Sequence, residues 1–144
     1  MAPFDPTVFE NAIIDDMRAH GGAVTSGPLA GHPLLVLTST GARSGAQRRA
    51  ILTFSRDGED YVVAGTASGS PSDPAWVSNL HHTPEVAVEA ENRRFTATAR
   101  VVEGADRDRL WDQHVDALPW FAEYPQKVGG RTIPMVRLTP SSTI

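Results

Sequence analysis

Residues 34–54 read Leu34-Leu35-Val36-Leu37-Thr38-Ser39-Thr40-Gly41-Ala42-Arg43-Ser44-Gly45-Ala46-Gln47-Arg48-Arg49-Ala50-Ile51-Leu52-Thr53-Phe54. An apolar run leads into a polar loop bounded by two glycines, and a second run opens on two arginines. Gly41 and Gly45 can take φ > 0 and let the backbone approach a ligand closely. Between them Arg43 offers a guanidinium and Ser44 a hydroxyl, and Arg48 and Arg49 add two more cations. Loop amides and arginines together suit a phosphate or a carboxylate. Read locally, the same residues also describe a decorated hairpin with solvated arginines.

Outward from this stretch, the pattern predicts strands at about 34–40, 48–56, 60–66, 85–90, 93–103 and 132–138. In the second, Ala50, Leu52 and Phe54 share one face by period-2 alternation, with Arg48 on that face and Arg49 on the other. Asp57-Gly58 is a hairpin turn. Helices are predicted at about 6–20, 74–82 and 105–117. The first opens on the cap signal Asp5-Pro6 and carries a stripe of Phe9, Ile13 and Met17, with Val8 and Ala12 beside it. Six short strands with hairpin-like links and no run of βαβ units predict a mainly β fold with flanking helices, a six-stranded antiparallel split β-barrel. The whole of 1–144 reads as one domain, with 1–22 an N-terminal helix packing on the barrel.

Net charge is −4, so no broad basic footprint for nucleic acid exists, and the arginines are a local patch favouring a small anion. There is no cysteine, which removes disulfides and thiolate chemistry and fits a cytoplasmic protein. No signal peptide is read in the first residues, and no apolar run is long enough to span a membrane. His81 and His82 are adjacent on a helix and do not face one point, so no metal site is expected. His114 reads as a helix-face histidine rather than a base. The segment Leu118-Pro119-Trp120-Phe121-Ala122-Glu123-Tyr124-Pro125 is aromatic and proline-flanked, equally suited to core and to a binding loop.

An ordered set of motifs covers about 20–138. It runs Gly-Gly-x-Val at 21–24, Leu-Leu-x-Leu-Thr-x-Thr-Gly at 34–41, Arg43-Ser44-Gly45, Arg48-Arg49, Asp57-Gly58, Tyr61-Val62-Val63, Ala67-Ser68 with Pro71, Pro74-Ala75-Trp76, Asn79-Leu80 and Ile133-Pro134-x-Val136. By these motifs the chain resembles the deazaflavin-dependent nitroreductase family of actinobacteria, within the split β-barrel flavin and deazaflavin oxidoreductases.

The resemblance implies reduced coenzyme F-420 as hydride donor, with FMN the alternative cofactor and a non-catalytic small-molecule binder the alternative role. It implies that Arg43, Ser44, Gly45 and Arg48, with Arg49 adjacent, hold the cofactor's phosphate. The ring falls to Ala67, Ser68, Gly69 and Pro71, with Trp76 and Asn79 behind. Substrate falls to Leu118, Phe121 and Tyr124, and the catalytic groups are Tyr124 and Ser68. Many relatives carry a basic residue where this chain has Ala42, and Trp-Tyr where it has Trp76-Val77. Relatives that reduce nitroimidazoles carry several tyrosines where this chain has Leu118, Phe121 and Tyr124. One hydroxyl among these three points to an apolar acceptor, an enone or quinone, over a nitro compound. The partner is then a small-molecule hydride acceptor, and the protein a monomer or homodimer in the cytoplasm, with contact at the inner face of the membrane left open.

Overall fold

The strand that follows the glycine loop breaks at Phe54 instead of running on to residue 56. In the computed structural model, which describes residues 6–25, 27, 29–66 and 72–143, it is two strands, β2 (Gln47–Thr53) and β3 (Ser55–Asp57). At the break the Phe54 amide donates to the Pro33 carbonyl at 2.9 Å. The other strands are β1 (Leu34–Thr40), β4 (Asp60–Ala64), β5 (Glu85–Ala90), β6 (Arg93–Val102) and β7 (Met135–Thr143). All pairings are antiparallel, in the order β2-β1-β5-β6-β7-β4-β3. The two strands at the ends of this order are consecutive in sequence and joined through Phe54. One bent segment therefore reaches both ends of the sheet and curls it. The expected antiparallel class holds, with seven strands where six were predicted, because alternation continues across a bend and cannot reveal it.

Inside the curl, Leu35, Leu37, Tyr61, Val63, Val88, Phe95, Ala97, Val136 and Leu138 form the main core. Each fully buried aliphatic side chain here contributes about 1.5–3 kcal/mol of transfer free energy. The alternate residues of the same strands face outward under helices. Leu34 and Val36 pack beneath α1 (Pro6–Ala19), against Ile13, Ile14 and Met17. The buried stripe of α1 is thus 13, 14 and 17. Phe9, placed in the stripe by spacing, is 43 % exposed, and Val8 is 64 % exposed.

On the opposite outer face, Val62, Ala64 and Met135 meet α3 (Gly104–Ala117) and the segment after it. That segment is a 3-10 turn (Pro119–Glu123) followed by the short α4 (Tyr124–Lys127). The last strand begins three residues later than predicted and runs five further. It accommodates Pro140 beside a register shift between Thr96 and Ala97. Among the described residues no helix is long and apolar enough to cross a membrane.

Candidate functional site

The loop after β1 is closed by its own backbone. The Gly41 amide donates to the Ala46 carbonyl at 2.7 Å, and the Gly45 amide to the Gly41 carbonyl at 2.9 Å. Gly45 has φ +70°, as its type permits. Gly41 does not take the positive φ its type allows; its requirement is space. A Cβ there would lie 3.0 Å from Ser44 Oγ and 3.1 Å from the Ala46 carbonyl oxygen. Ser44 Oγ accepts from the Ala46 amide at 3.1 Å, so its own proton is free to donate outward. The Ala42 amide donates to Asn79 Oδ1 at 3.0 Å. The amides of Arg43 and Ser44 draw no partner among the described residues.

Register fixes the arginines. Arg48 lies opposite Ser39, and Arg49 opposite Thr38. Cross-strand partners share a face, so Arg48 joins Ser39, Ala50 and Leu37 on the inner side while Arg49 stands on the outer side. There Arg49 Nη2 donates to Asn11 Oδ1 of α1 at 2.8 Å. Ser39 is buried, and its hydroxyl has no hydrogen-bond partner among the described residues.

Across from this loop runs α2 (Ala75–His82), entered through Pro74 in extended conformation. Val77 and Leu80 anchor it to the main core. Trp76 is buried, and Asn79 reaches the loop amide. Between loop and helix lies a cleft of about 480 Å³, lined by Gly41 to Ser44, Arg48, Arg49 and Ala50 on one side and by Ala75, Trp76, Ser78 and Asn79 on the other. Of the residues expected to hold a cofactor, Arg43, Ser44, Arg48, Arg49, Trp76 and Asn79 come together here. Gly45 shapes the loop without lining the cleft. Ala67, Ser68, Gly69 and Pro71 lie outside the described residues. Ala75 and Ser78 were missed, although Ala75 stands one turn before Asn79 at i, i+4 and Ser78 at i, i+3 from Ala75.

The donor set fits a phosphate carried by a flat, partly apolar group. Guanidiniums, a hydroxyl and unpaired amides gather at one end, and an indole and alanine methyls form the wall beside them.

The aromatic segment stands apart from this lining. Leu118 is 3 % and Phe121 6 % exposed, both in the core beneath α3. They were expected to face substrate; here both are buried in the cluster that also holds Val62, Leu110 and Met135, with the Phe121 ring against His114 and Tyr124. Tyr124 is half-buried, its ring 5.2 Å from that of Phe121. Trp120 is 39 % exposed and stacks on His32 at 4.7 Å.

In the same core His114 lies on a helix face with Leu110, as expected, and that face is the buried one. Its Nδ1 lies 2.6 Å from Ser55 Oγ, its Nε2 has no partner among the described residues, and Phe121 meets it edge-on. Burial pushes its pKa down to about 4, so the imidazole is neutral at pH 7.

Comparison with known proteins agrees with this architecture. The family model for F420H(2)-dependent quinone reductase matches residues 12–140. An F420H(2)-dependent quinone reductase of Mycobacterium tuberculosis is 34 % identical over 110 residues, covering 74 % of this chain and 73 % of that protein. A solved F420-H2-dependent reductase, FDR-A, is 33 % identical with a TM-score of 0.67, covering 74 % of this chain and 93 % of its own. A further solved structure, a domain-swapped dimer, is 29 % identical with a TM-score of 0.69, covering 93 % of this chain and 99 % of its own. The family model matches nearly the whole chain, and a relative 34 % identical covers about three quarters of it: the chain belongs to the F420H(2)-dependent quinone reductases.

Proposed function

We propose that the protein transfers a hydride from reduced coenzyme F-420 to a quinone or a related enone, with the cofactor's phosphate held in the cleft between the glycine loop and α2. The observation that carries this reading is the convergence of Arg43, Arg48, Ser44 and two unpaired loop amides on one side of a cleft whose other wall is Trp76. The bound deazaflavin supplies a hydride from its ring carbon. Arg43 and Arg48 bind the phosphate through planar forks, and the loop amides add fixed dipoles. Asn79 orients the loop by holding the Ala42 amide. Trp76 keeps water from one side of the cleft.

Tyr124 is the proposed proton donor at its hydroxyl and a contact for the acceptor, with Phe121 and Leu118 fixing its position from the core. The roles expected for Ala67, Ser68, Gly69 and Pro71, ring contact and oxyanion stabilisation by Ser68, stay part of this reading and rest on the family resemblance alone.

The reading takes residues 1–144 as one domain. It places the protein in the cytoplasm, where a lipid-soluble acceptor is met at the inner face of the membrane. The domain-swapped dimer formed by a relative makes a homodimer the assembly to test.

The deciding experiment is fluorescence titration with coenzyme F-420 beside FMN, followed by turnover of the reduced cofactor with a panel of quinones, enones and nitro compounds. Tight F-420 binding with quinone turnover is the expected result. FMN binding without F-420 binding would transfer the site to the flavin alternative, and binding without turnover would make the protein a carrier.

A further inference from the structure

Arg131 is a half-buried arginine that the chemistry above does not use. It lies between α4 and β7, its side chain 14 % exposed. Its Nη1 donates to the Gly65 carbonyl at 3.0 Å and to Asp73 Oδ1 at 2.7 Å, and its Nη2 donates to the Thr66 carbonyl at 2.9 Å. Gly65 and Thr66 follow the end of β4, and Asp73 precedes Pro74, the residue that opens α2. One side chain therefore ties the exit of a sheet strand to the entrance of the helix that walls the cleft.

The packing around this point leaves little slack. The Gly65 amide donates to the Pro134 carbonyl at 2.8 Å. A Cβ on Gly65 would stand 3.1 Å from both Pro134 Cγ and Val77 Cγ2. Strand β4, residues 131–134 and α2 thus meet at van der Waals contact around the guanidinium. From there α2 carries Trp76 and Asn79 to the cleft, and Asn79 passes the constraint to the glycine loop through the Ala42 amide.

We propose that Arg131 is a positioning residue for the cofactor site: it sets the seat of α2, and through Trp76 and Asn79 the width of the cleft. Its guanidinium suits this task and an ammonium does not. Two carbonyls and a carboxylate are served at once by a planar fork of fixed geometry, whereas lysine presents one compact charge on a flexible stem. The carbonyls accept without carrying charge, and Asp73 adds an ion pair at 2.7 Å.

This inference rests on the reading of the cleft as the F-420 site, and its test separates the two. Coenzyme F-420 is titrated by fluorescence against wild type, Arg131→Ala, Arg131→Lys and Asp73→Asn, at a temperature well below each protein's melting midpoint. Arg131→Ala is expected to raise Kd about tenfold, equivalent to ~1.4 kcal/mol. Arg131→Lys should recover little of it, and Asp73→Asn should raise Kd by a smaller factor. Guanidinium ion at low millimolar concentration should restore part of the binding to Arg131→Ala and none to Arg131→Lys, an effect that a general loss of stability would not show. If Arg131→Ala does not fold, the Lys and Asn variants carry the test by the same readout. Wild-type binding with unchanged Kd in the folded variants overturns the role of Arg131. Absence of F-420 binding by wild type overturns the reading of the cleft instead.

Discussion

Asn79 Oδ1 accepts the amide proton of Ala42 at 3.0 Å, 37 positions away in sequence, and is the hydrogen bond by which α2 holds the glycine loop. Asn79 is itself buried, so the bond is shielded from water on one side. Asn79→Ala leaves a part-buried amide unpaired, at a cost of about 1–3 kcal/mol. A loosened loop should raise the Kd for F-420 about tenfold. Asn79→Asp keeps an acceptor for the amide and adds a negative charge beside the phosphate site. Its loss of affinity should therefore grow as salt is lowered. Titration at two ionic strengths, with thermal melting alongside, separates the two effects.

Gly41 and Gly45 fail for different reasons when given a side chain. Gly41→Ala places a methyl 3.1 Å from a backbone oxygen that cannot turn aside. The loop must shift, and binding should weaken with only a small change in melting temperature. Gly45→Ala meets no atom within 4 Å and suffers only the positive φ. That costs about 1–2 kcal/mol locally. Equal damage to F-420 affinity from both substitutions would show that close contact within the loop does not matter.

His114 makes stability depend on pH with a definite sign. Its folded pKa of about 4 lies below the unfolded value near 6.5, because burial penalises the charged ring. Above pH 6.5 the ring is neutral in both states and the contribution is constant. Between pH 6.5 and 4 only the unfolded chain takes up the proton, so stability falls with pH, by about 3 kcal/mol in all. Below 4 the effect is complete. Urea melts from pH 7 to 4 should show this slope, and His114→Leu should flatten it. The same substitution leaves Ser55 Oγ unpaired, so it destabilises at pH 7. Adding Ser55→Ala should recover part of that loss.

What the sequence could and could not reveal follows from the range of the forces involved. The loop, β1 and the opposite facing of Arg48 and Arg49 rest on neighbours in sequence and were legible from alternation. The bend at Phe54 was not, since its amide is captured by Pro33, 21 positions earlier. Nor could local pattern tell that Phe9 stays partly exposed while Ile14 is buried, because the sheet beneath α1 selects the stripe. Leu118 and Phe121 are buried for a similar reason: their cluster is assembled from β4, α3 and β7, which lie far apart in sequence. Arg131 gives no local signal at all, as its acceptors lie 58 to 66 residues away.

Tyr124 is the half-buried edge of the second outer core, and its ring rests on Phe121. Tyr124→Phe removes one hydroxyl and leaves the ring packing intact. If that hydroxyl donates a proton during turnover, kcat with a quinone should fall by about 10²-fold or more, in the range of general acid catalysis. The Kd for F-420 should be unchanged. Stopped-flow oxidation of the bound reduced cofactor is the measurement. Unchanged turnover would remove Tyr124 from the mechanism and leave water as the acid.

Arg43, Arg48 and Arg49 should not contribute equally to binding. Arg43 sits in the loop with its guanidinium exposed, and Arg48 stands opposite Ser39 on the inner face. Neither makes an ion pair among the described residues, so both are available to a ligand phosphate. Arg49 faces outward and is already bonded to Asn11 of α1, although its side chain borders the cleft. A charge-assisted bond to phosphate contributes about 1.5–3 kcal/mol when well aligned. Arg43→Ala and Arg48→Ala should therefore weaken F-420 about ten- to a hundredfold, at 1.4 kcal/mol per factor of ten. Arg49→Ala should weaken it less than threefold by estimate, within ~0.6 kcal/mol. It should instead loosen the contact between α1 and the sheet. The folds of the Arg43 and Arg48 variants should be spared, since both side chains are exposed and lie outside all three core clusters. Raising salt should narrow the gap between wild type and these two variants, because screening reduces what each cation adds. Fluorescence titration of the four proteins at low and high salt is the measurement. Equal affinity across all four would place the phosphate elsewhere, and a larger loss for Arg49→Ala than for Arg48→Ala would put it on the outer face, beside α1.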